Sequence, residues 1–440
     1  MRKLFYALAA AALLALGACT KAGDTSKSET FELPNGMKVV VLPDHRAPVI
    51  THMLWFKVGA ADEVKGKSGL AHFLEHLMFK ATDEIKAGDY SKIVARNGGQ
   101  DNAATNSDVT YYHFRVAKDR LPQMMAMEAD RMQHLKLEDS EVLPERAVVQ
   151  EERRQSVDSN PGSLLYEKIQ AAMYAGHPYA IPVIGYMSEV EKLTPQDARD
   201  WYHNWYGPEN AILVVAGDIT AKELEPLAKE IYGPIPKRGD LHVRAWPAVK
   251  PIAKSVTVSH SDPKVRQPDW MRQWLGVEVG NPDSEALTVG MEILGGGRTS
   301  RLYRELVEPG KAVMASAYSS ESQARGMIGV SASPGSGVSL DEIRKATLAV
   351  TDRFIKEGPT EDEVKRAKKM LIAADTFARD NQMTMAQWYG SLLAAGRPVE
   401  WIEASNDRVN AVTVGQVKAA VQKYMTGVNY VDANLLPGGN

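Results

Sequence analysis

Cysteine is almost missing from this chain. Cys19 is the only one in 440 residues, so no intramolecular disulfide can form. A strong charge of one sign is missing too. Lys and Arg number 52 against 55 Asp and Glu, a net charge of -3. Basic stripes with interleaved aromatic residues are absent, and with them the footprint of a nucleic-acid binder. No apolar run is long enough to cross a bilayer as a helix; the stretch from Leu4 to Leu16 is too short.

That short stretch has another meaning. Met1-Arg-Lys3 is positive, the residues from Leu4 to Leu16 are rich in Ala and Leu, and Leu16-Gly-Ala-Cys19 follows. Residues 1–19 read as an export signal. Their last four positions resemble a bacterial lipoprotein cleavage box, with Cys19 as the lipidated residue. The alternative is a general signal peptide with a stray cysteine. Thr20 after the cysteine resembles the pattern of outer-membrane sorting. Residues 20–30 are polar and read as a flexible tether. The expected location is the bacterial cell envelope, on the periplasmic side, touching the membrane only through this N-terminal lipid anchor.

The chemistry concentrates in Ala71-His-Phe-Leu-Glu-His-Leu-Met-Phe79. This is H-x-x-E-H, the inverted form of the zinc-protease signature. On a helix, His72 and His76 stand one turn apart on a shared face and can grip one metal ion. Glu75 is placed to accept a proton from a water on that metal. The alternative is an ordinary helix with satisfied histidines. Leu70, Phe73, Leu74, Leu77, Met78 and Phe79 argue for burial, and buried ionisable groups need partners.

Two histidines leave zinc short of protein ligands. The run Glu141-Val-Leu-Pro-Glu-Arg-Ala-Val-Val-Gln-Glu-Glu-Arg-Arg154 offers a third. As a helix, Val142, Val148 and Val149 define an apolar arc. Glu145 and Glu152 fall inside it, two turns apart, while Glu151 turns toward the polar side. Glu152 is the expected third ligand, and Glu145 a carboxylate that orients a histidine. The alternative is a charged surface helix with Glu–Arg pairs. His134, His177 and His203 have no metal-spaced partner and read as structural or surface residues.

These residues together resemble the pitrilysin/insulinase family of zinc peptidases, which includes the mitochondrial processing peptidases. The family pairs H-x-x-E-H with a distal Glu inside E-R-x-V-x-x-x-E. Here that run is Glu145 to Glu152, ending eighty positions after His72. Leu33-Pro-Asn-Gly-Met-Lys-Val-Val-Val41 resembles the family's opening strand. Gly98-Gly-Gln-Asp-Asn-Ala-Ala-Thr105, with Asp108 and Tyr111, resembles its substrate-strand segment. His177-Pro-Tyr179, Trp205-Tyr-Gly-Pro-Glu-Asn210 and Val214-Val-Ala-Gly-Asp218 also match. The resemblance implies peptide binding along Asn102, Ala103 and Ala104, although Asn102 also reads as a turn residue after Gly98-Gly99. It implies one zinc ion per chain and hydrolysis of short or unfolded peptides.

One departure concerns the second half. The family carries an Arg and a Tyr there, after a Ser-Arg-Leu segment. Here Ser300-Arg-Leu302 is present, but Val307 and Val313 stand where the pair is expected. Valines cannot donate hydrogen bonds to a carbonyl or oxyanion. The resemblance therefore implies the zinc-carrying half of a two-chain enzyme whose partner subunit supplies Arg and Tyr, or a homodimer. A different class of reading is a binding or assembly subunit with structural zinc and no turnover.

Strands are expected at Met37–Leu42, Ile50–Val58, Val109–Val116 and Ala211–Ala216, and helices at Leu70–Phe79, Tyr90–Arg96, Leu121–Leu135 and Glu138–Gln155. The second half echoes the first. Trp55-Phe-Lys-Val-Gly59 resembles Trp274-Leu-Gly-Val-Glu-Val-Gly280, and the segment from Thr194 to Tyr206 resembles that from Thr413 to Tyr424. Coincidence is the alternative to duplication. With Gly59 on Gly280, His72 falls on Ile293, so the second copy is expected to be metal-free. The expected fold is α+β: two related pitrilysin-like domains, each a mostly antiparallel sheet with helices, facing each other across a cavity. The zinc-bearing domain spans 31–235, a Pro-rich linker 236–252, and an inactive second domain 253–440.

Overall fold

Apolar runs of different texture set the strands. Ala-Ile-Leu-Val-Val-Ala-Gly is buried at every position and makes a central strand, while Gln-Asp-Asn-Ala-Ala-Thr is polar and makes an edge. The computed structural model describes residues 27–438. The expected leader at 1–19 and most of the expected tether lie outside them.

The first half builds a six-stranded sheet from β1 (Glu29–Glu32), β2 (Lys38–Pro43), β3 (Val49–Phe56), β4 (Gln100–Thr105), β5 (Thr110–Ala117) and β6 (Ala211–Gly217). The order is β1-β2-β6-β3-β5-β4. Glu29 and Thr30, placed in the tether by composition, already pair with Val41 and Val40. Leu33–Gly36 is not strand but the turn between β1 and β2, closed by Gly36 N–H on the Leu33 carbonyl at 2.9 Å.

The second half uses β7 (Val256–Asp262), β8 (Asp269–Leu275), β10 (Ala312–Ser319), β12 (Met327–Pro334) and β13 (Val431–Pro437); β9 (Val277–Glu278) and β11 (Glu321–Ser322) form a short parallel pair. The five-stranded order is β10-β12-β8-β13-β7. Read from β7, it repeats β2-β6-β3-β5-β4 strand for strand. The one parallel pair recurs as well, β2 with β6 and β7 with β13, and every other pair within these two sheets is antiparallel. The helices repeat too. Thr194 and Thr413 each form a capping box, with Asp197 and Gln416, on the helix that leads into the last strand of its sheet. The duplication therefore holds at the level of topology. Ile293 lies in the helix Ser284–Gly295 after β8, as His72 lies in a helix after β3.

The halves exchange helices. Pro161–Met173, capped by Asn160, leaves the first half and lays Leu165, Ile169 and Met173 against Val256, Val258, Val431 and Ala433 of the second sheet. Gln382–Ala394, capped by Asn381, does the reverse with Ala386, Tyr389 and Ala394 on Val40, Met53, Trp55 and Val214. Gly390 permits the contact, because a Cβ there would stand 2.1 Å from the Trp55 indole. Each buried aliphatic side chain contributes about 1.5–3 kcal/mol, so the exchange joins the halves firmly. A cavity of about 670 Å³ remains between them, reached by the β4–β5 turn at Asn106–Val109 and by Tyr174, Glu321 and Trp388.

Candidate metal centre

The motif helix spans Leu70–Leu77. Leu70, Phe73, Leu74 and Leu77 are buried in the first core, which leaves His72, Glu75 and His76 along the other face. Gly69 turns the chain into the helix with φ 87°, and a Cβ there would lie 2.6 Å from the Ile184 carbonyl oxygen. The free N–H groups at this end are taken by acids. Glu63 accepts from Gly69 at 3.0 Å and from Ala71 at 2.9 Å, and Glu189 accepts from Ser68 at 2.8 Å. Burial pushes the Glu63 carboxyl above its ordinary range, against the pull of both N–H groups.

The second contributing helix is Asp139–Arg153. Val142 and Val149, two turns apart, are buried against the core; Val148 is 50% exposed and does not belong to that stripe. At about 100° per residue it sits well round from Val149, so the expected arc was too wide by one residue. Glu145 and Glu152 flank the buried stripe and reach the motif helix. Glu151 turns to solvent and pairs with Arg154 and Gln155.

The structure brings His72, His76 and Glu152 together, with their ligand atoms all within 4.8 Å of one another. Glu152 stands 3.8 Å from His72 Nε2 and 3.2 Å from His76 Nε2. His76 Nδ1 lies 3.0 Å from Glu145, whose other oxygen pairs with Lys80. This donor set fits a zinc ion. With its Nδ1 proton donated to Glu145, His76 turns Nε2 toward the Glu152 carboxylate, a contact that a proton or a metal cation between the two atoms satisfies.

Electrostatics prepare His72 to ligate, while His76 must exchange a proton for the metal. Burial, with His76 adding to it, pushes His72 down to about 3, so the ring is neutral and free to ligate. His76 is buried as well, but Glu145 and Glu152 outweigh that and raise it. Burial opposes ionisation of Glu145, yet His76 and Lys80 hold its carboxyl below the ordinary range. Burial raises Glu75, with Thr105 and His76 pulling the other way. Glu75 Oε2 and His72 Nδ1 are buried without a hydrogen-bond partner among the described residues.

Asn102, Ala103 and Ala104 lie in β4, the free edge of the first sheet. The turn reading of Asn102 is thus replaced by a strand position; its side chain accepts from Ala103 N–H at 2.9 Å. In the second half, Val307 packs against the core and Val313 is 63% exposed near the start of β10. His134 pairs with Asp130 and His203 with Asp240, while His177 caps the turn at Tyr179, and none of the three belongs to the converging group.

Sequence reasoning missed Glu63, Glu189, Lys80 and Thr105. A carboxylate shortly before a glycine at a helix start is a legible signal for the first. The others depend on tertiary approach.

Comparison with known proteins gives a consistent picture. Residues 38–186 match the family profile described as Insulinase (Peptidase family M16), and residues 192–371 match Peptidase M16 inactive domain. The zinc protease PqqE of Helicobacter pylori is 32% identical over 375 residues, covering 83% of each chain. A crystal structure of a protease from Helicobacter pylori has a TM-score of 0.86 at 28% identity, covering 93% of this chain and 99% of that one. The periplasmic protease PqqL of Escherichia coli shares the fold, with a TM-score of 0.80 at 20% identity; the match covers 93% of this chain but 48% of PqqL. Two halves of matching topology, an inverted motif set against a distal glutamate, and these likenesses place the chain in the M16 (insulinase/pitrilysin) family of zinc proteases.

Proposed function

We propose that this chain is a zinc-dependent endopeptidase or oligopeptidase acting on short or unfolded peptides, with one zinc held by His72, His76 and Glu152. The observation that carries this reading is the convergence of two imidazole Nε2 atoms on one carboxylate, with a buried glutamate oxygen, Glu75 Oε2, that has no hydrogen-bond partner among the described residues. When bound, zinc supplies Lewis acidity: it polarises a carbonyl and eases ionisation of water. Glu75 takes the proton of the attacking water at Oε2 and delivers it to the leaving amine as the C–N bond breaks. Glu145 holds His76 in the tautomer that keeps Nε2 free. The β4 edge at Asn102, Ala103 and Ala104 aligns an extended peptide by main-chain pairing.

A second chain of the same family supplies the Arg and Tyr that Val307 and Val313 do not provide. The length of PqqL, about twice that of the matched unit, supports a working assembly of two such units. The chain acts in the periplasm on an N-terminal lipid anchor, a reading supported by the leader sequence; no helix among the described residues is long and apolar enough to cross a membrane.

The test is hydrolysis of a quenched fluorogenic peptide library by the chain beginning after Cys19, with and without chelator and zinc. Cleavage that chelator abolishes and zinc restores is the expected result once the co-purifying family partner is added; the same cleavage by this chain alone would support the peptidase reading and count against the need for a partner. Bound zinc without cleavage in both preparations would favour a binding subunit with structural zinc.

A further inference from the structure

We propose that Glu63 is a positioning residue for the metal centre, and that the segment joining the two halves sets it through Arg244 and Asp62. This rests on the zinc-peptidase reading above.

The motif helix is eight residues long, too short to hold its own phase without tertiary support. One carboxylate supplies much of that support. Glu63 receives N–H groups two residues apart, from Gly69 at 3.0 Å and Ala71 at 2.9 Å. A two-point contact restrains both the rotation and the axial position of the helix. Ala71 is the residue before His72, so any turn of the helix at this end moves the His72 imidazole.

Glu63 is in turn anchored by its neighbour. Asp62, whose side chain is 1% exposed, accepts from Gly59 N–H at 2.9 Å, Trp246 Nε1 at 2.9 Å and Arg244 Nε and Nη2 at 2.9 and 2.6 Å. Arg244 and Trp246 come from residues 236–252, a stretch without helix or strand. Arg244 stacks 4.1 Å from the Trp246 ring, which fixes the plane of its fork. The same guanidinium donates to the Asp108 carbonyl and, at 2.6 Å, to Gln323 Oε1 of the second half. A chain of contacts therefore runs from the second half through Arg244, Asp62 and Glu63 to the first turn of the motif helix. Its geometry makes the seating of the halves a determinant of where His72 stands.

The experiment measures zinc affinity by chelator competition, together with melting temperature and kcat/KM, in full-length mature protein carrying Glu63→Gln, Glu63→Ala, Arg244→Lys or Arg244→Ala. Loss of an outer partner of a metal ligand typically weakens zinc by about 10–100-fold. Glu63 bonds the helix backbone and not a ligand itself, so Glu63→Ala is expected near the lower end of that range, about 10-fold, and Glu63→Gln, which keeps one acceptor oxygen, at several-fold. Arg244→Ala is expected to weaken zinc several-fold although it touches no ligand, and Lys to restore little, because it lacks the fork. Combined with Glu63→Gln, Arg244→Ala should add less than its separate effect. A strut that serves only stability would lower the melting temperature and leave zinc affinity in the folded protein unchanged. If Glu63→Ala does not fold, Glu63→Gln and Arg244→Ala carry the test. Wild-type zinc affinity in both folded variants overturns the proposal while leaving the peptidase reading intact. A wild-type chain that binds no zinc overturns both.

Discussion

The Glu145 carboxylate stands 3.0 Å from Nδ1 of His76, a contact between two helices joining residues 69 positions apart in the chain. The contact decides which imidazole nitrogen carries the proton. Glu145→Ala should therefore weaken zinc binding by about 10–100-fold with little change in fold, and Glu145→Gln should fall between it and wild type. Chelator competition on the folded variants reads this; unchanged affinity in Glu145→Ala would remove Glu145 from the centre.

Glu75 is not one of the three residues whose ligand atoms converge, and its Oε2 is buried without a hydrogen-bond partner among the described residues. Glu75→Gln should retain zinc and lose about 100-fold or more of kcat, the usual contribution of a general base. Metal analysis and peptide hydrolysis on one sample separate the two effects. Retained turnover would assign the proton transfer elsewhere.

Arg131 and Glu128 form an ion pair with both side chains essentially buried in the first half, where the guanidinium also faces Phe79, Tyr90 and Tyr112. Arg131→Met leaves Glu128 buried without its cation and should cost about 3–5 kcal/mol of stability. Replacing both, with Glu128→Leu added, should recover part of that loss. Denaturant unfolding measures both, and a near-neutral single variant would contradict the role of the pair.

Asp44 binds the two halves to each other through Arg46, which also reaches Asp380, and through Gln382. The Arg46 fork holds its carboxyl at about 2, against an ordinary 3.8. The folded chain thus takes up this proton less readily than the unfolded one. The resulting stability is present above pH of about 4 and is lost as pH falls through about 2. The melting-temperature gap between wild type and Asp44→Asn should therefore close on acidification, and a gap that stays constant would deny the linkage.

What the chain reveals without coordinates depends on the range of the interaction. His72, Glu75, His76, Glu145 and Glu152 are legible because helical spacing alone puts each set on one face. The repeated strand order is foreshadowed by the Thr-initiated helices at Thr194 and Thr413, whose capping is local. The exchange of Pro161–Met173 and Gln382–Ala394 is not legible, because an apolar stripe does not say which sheet it will cover. Arg244 is hidden for the same reason: its partners Asp62, Asp108 and Gln323 are distant in sequence. Tyr179 and Asp108 could be matched to family segments, but only the fold shows that Tyr179 donates to Asp108 and accepts from Ala324 N–H at the seam. Val148 and Glu29–Thr30 mark the limit of composition: Val148 is apolar yet exposed, and Glu29 and Thr30 are polar yet paired in a strand.

The most direct measurement is zinc content per chain in wild type, Glu152→Gln and Glu151→Gln, purified identically and dialysed against a weak chelator. About one zinc in wild type and in Glu151→Gln, with marked loss in Glu152→Gln, is the predicted result. Equal zinc in all three would contradict a centre built from His72, His76 and Glu152.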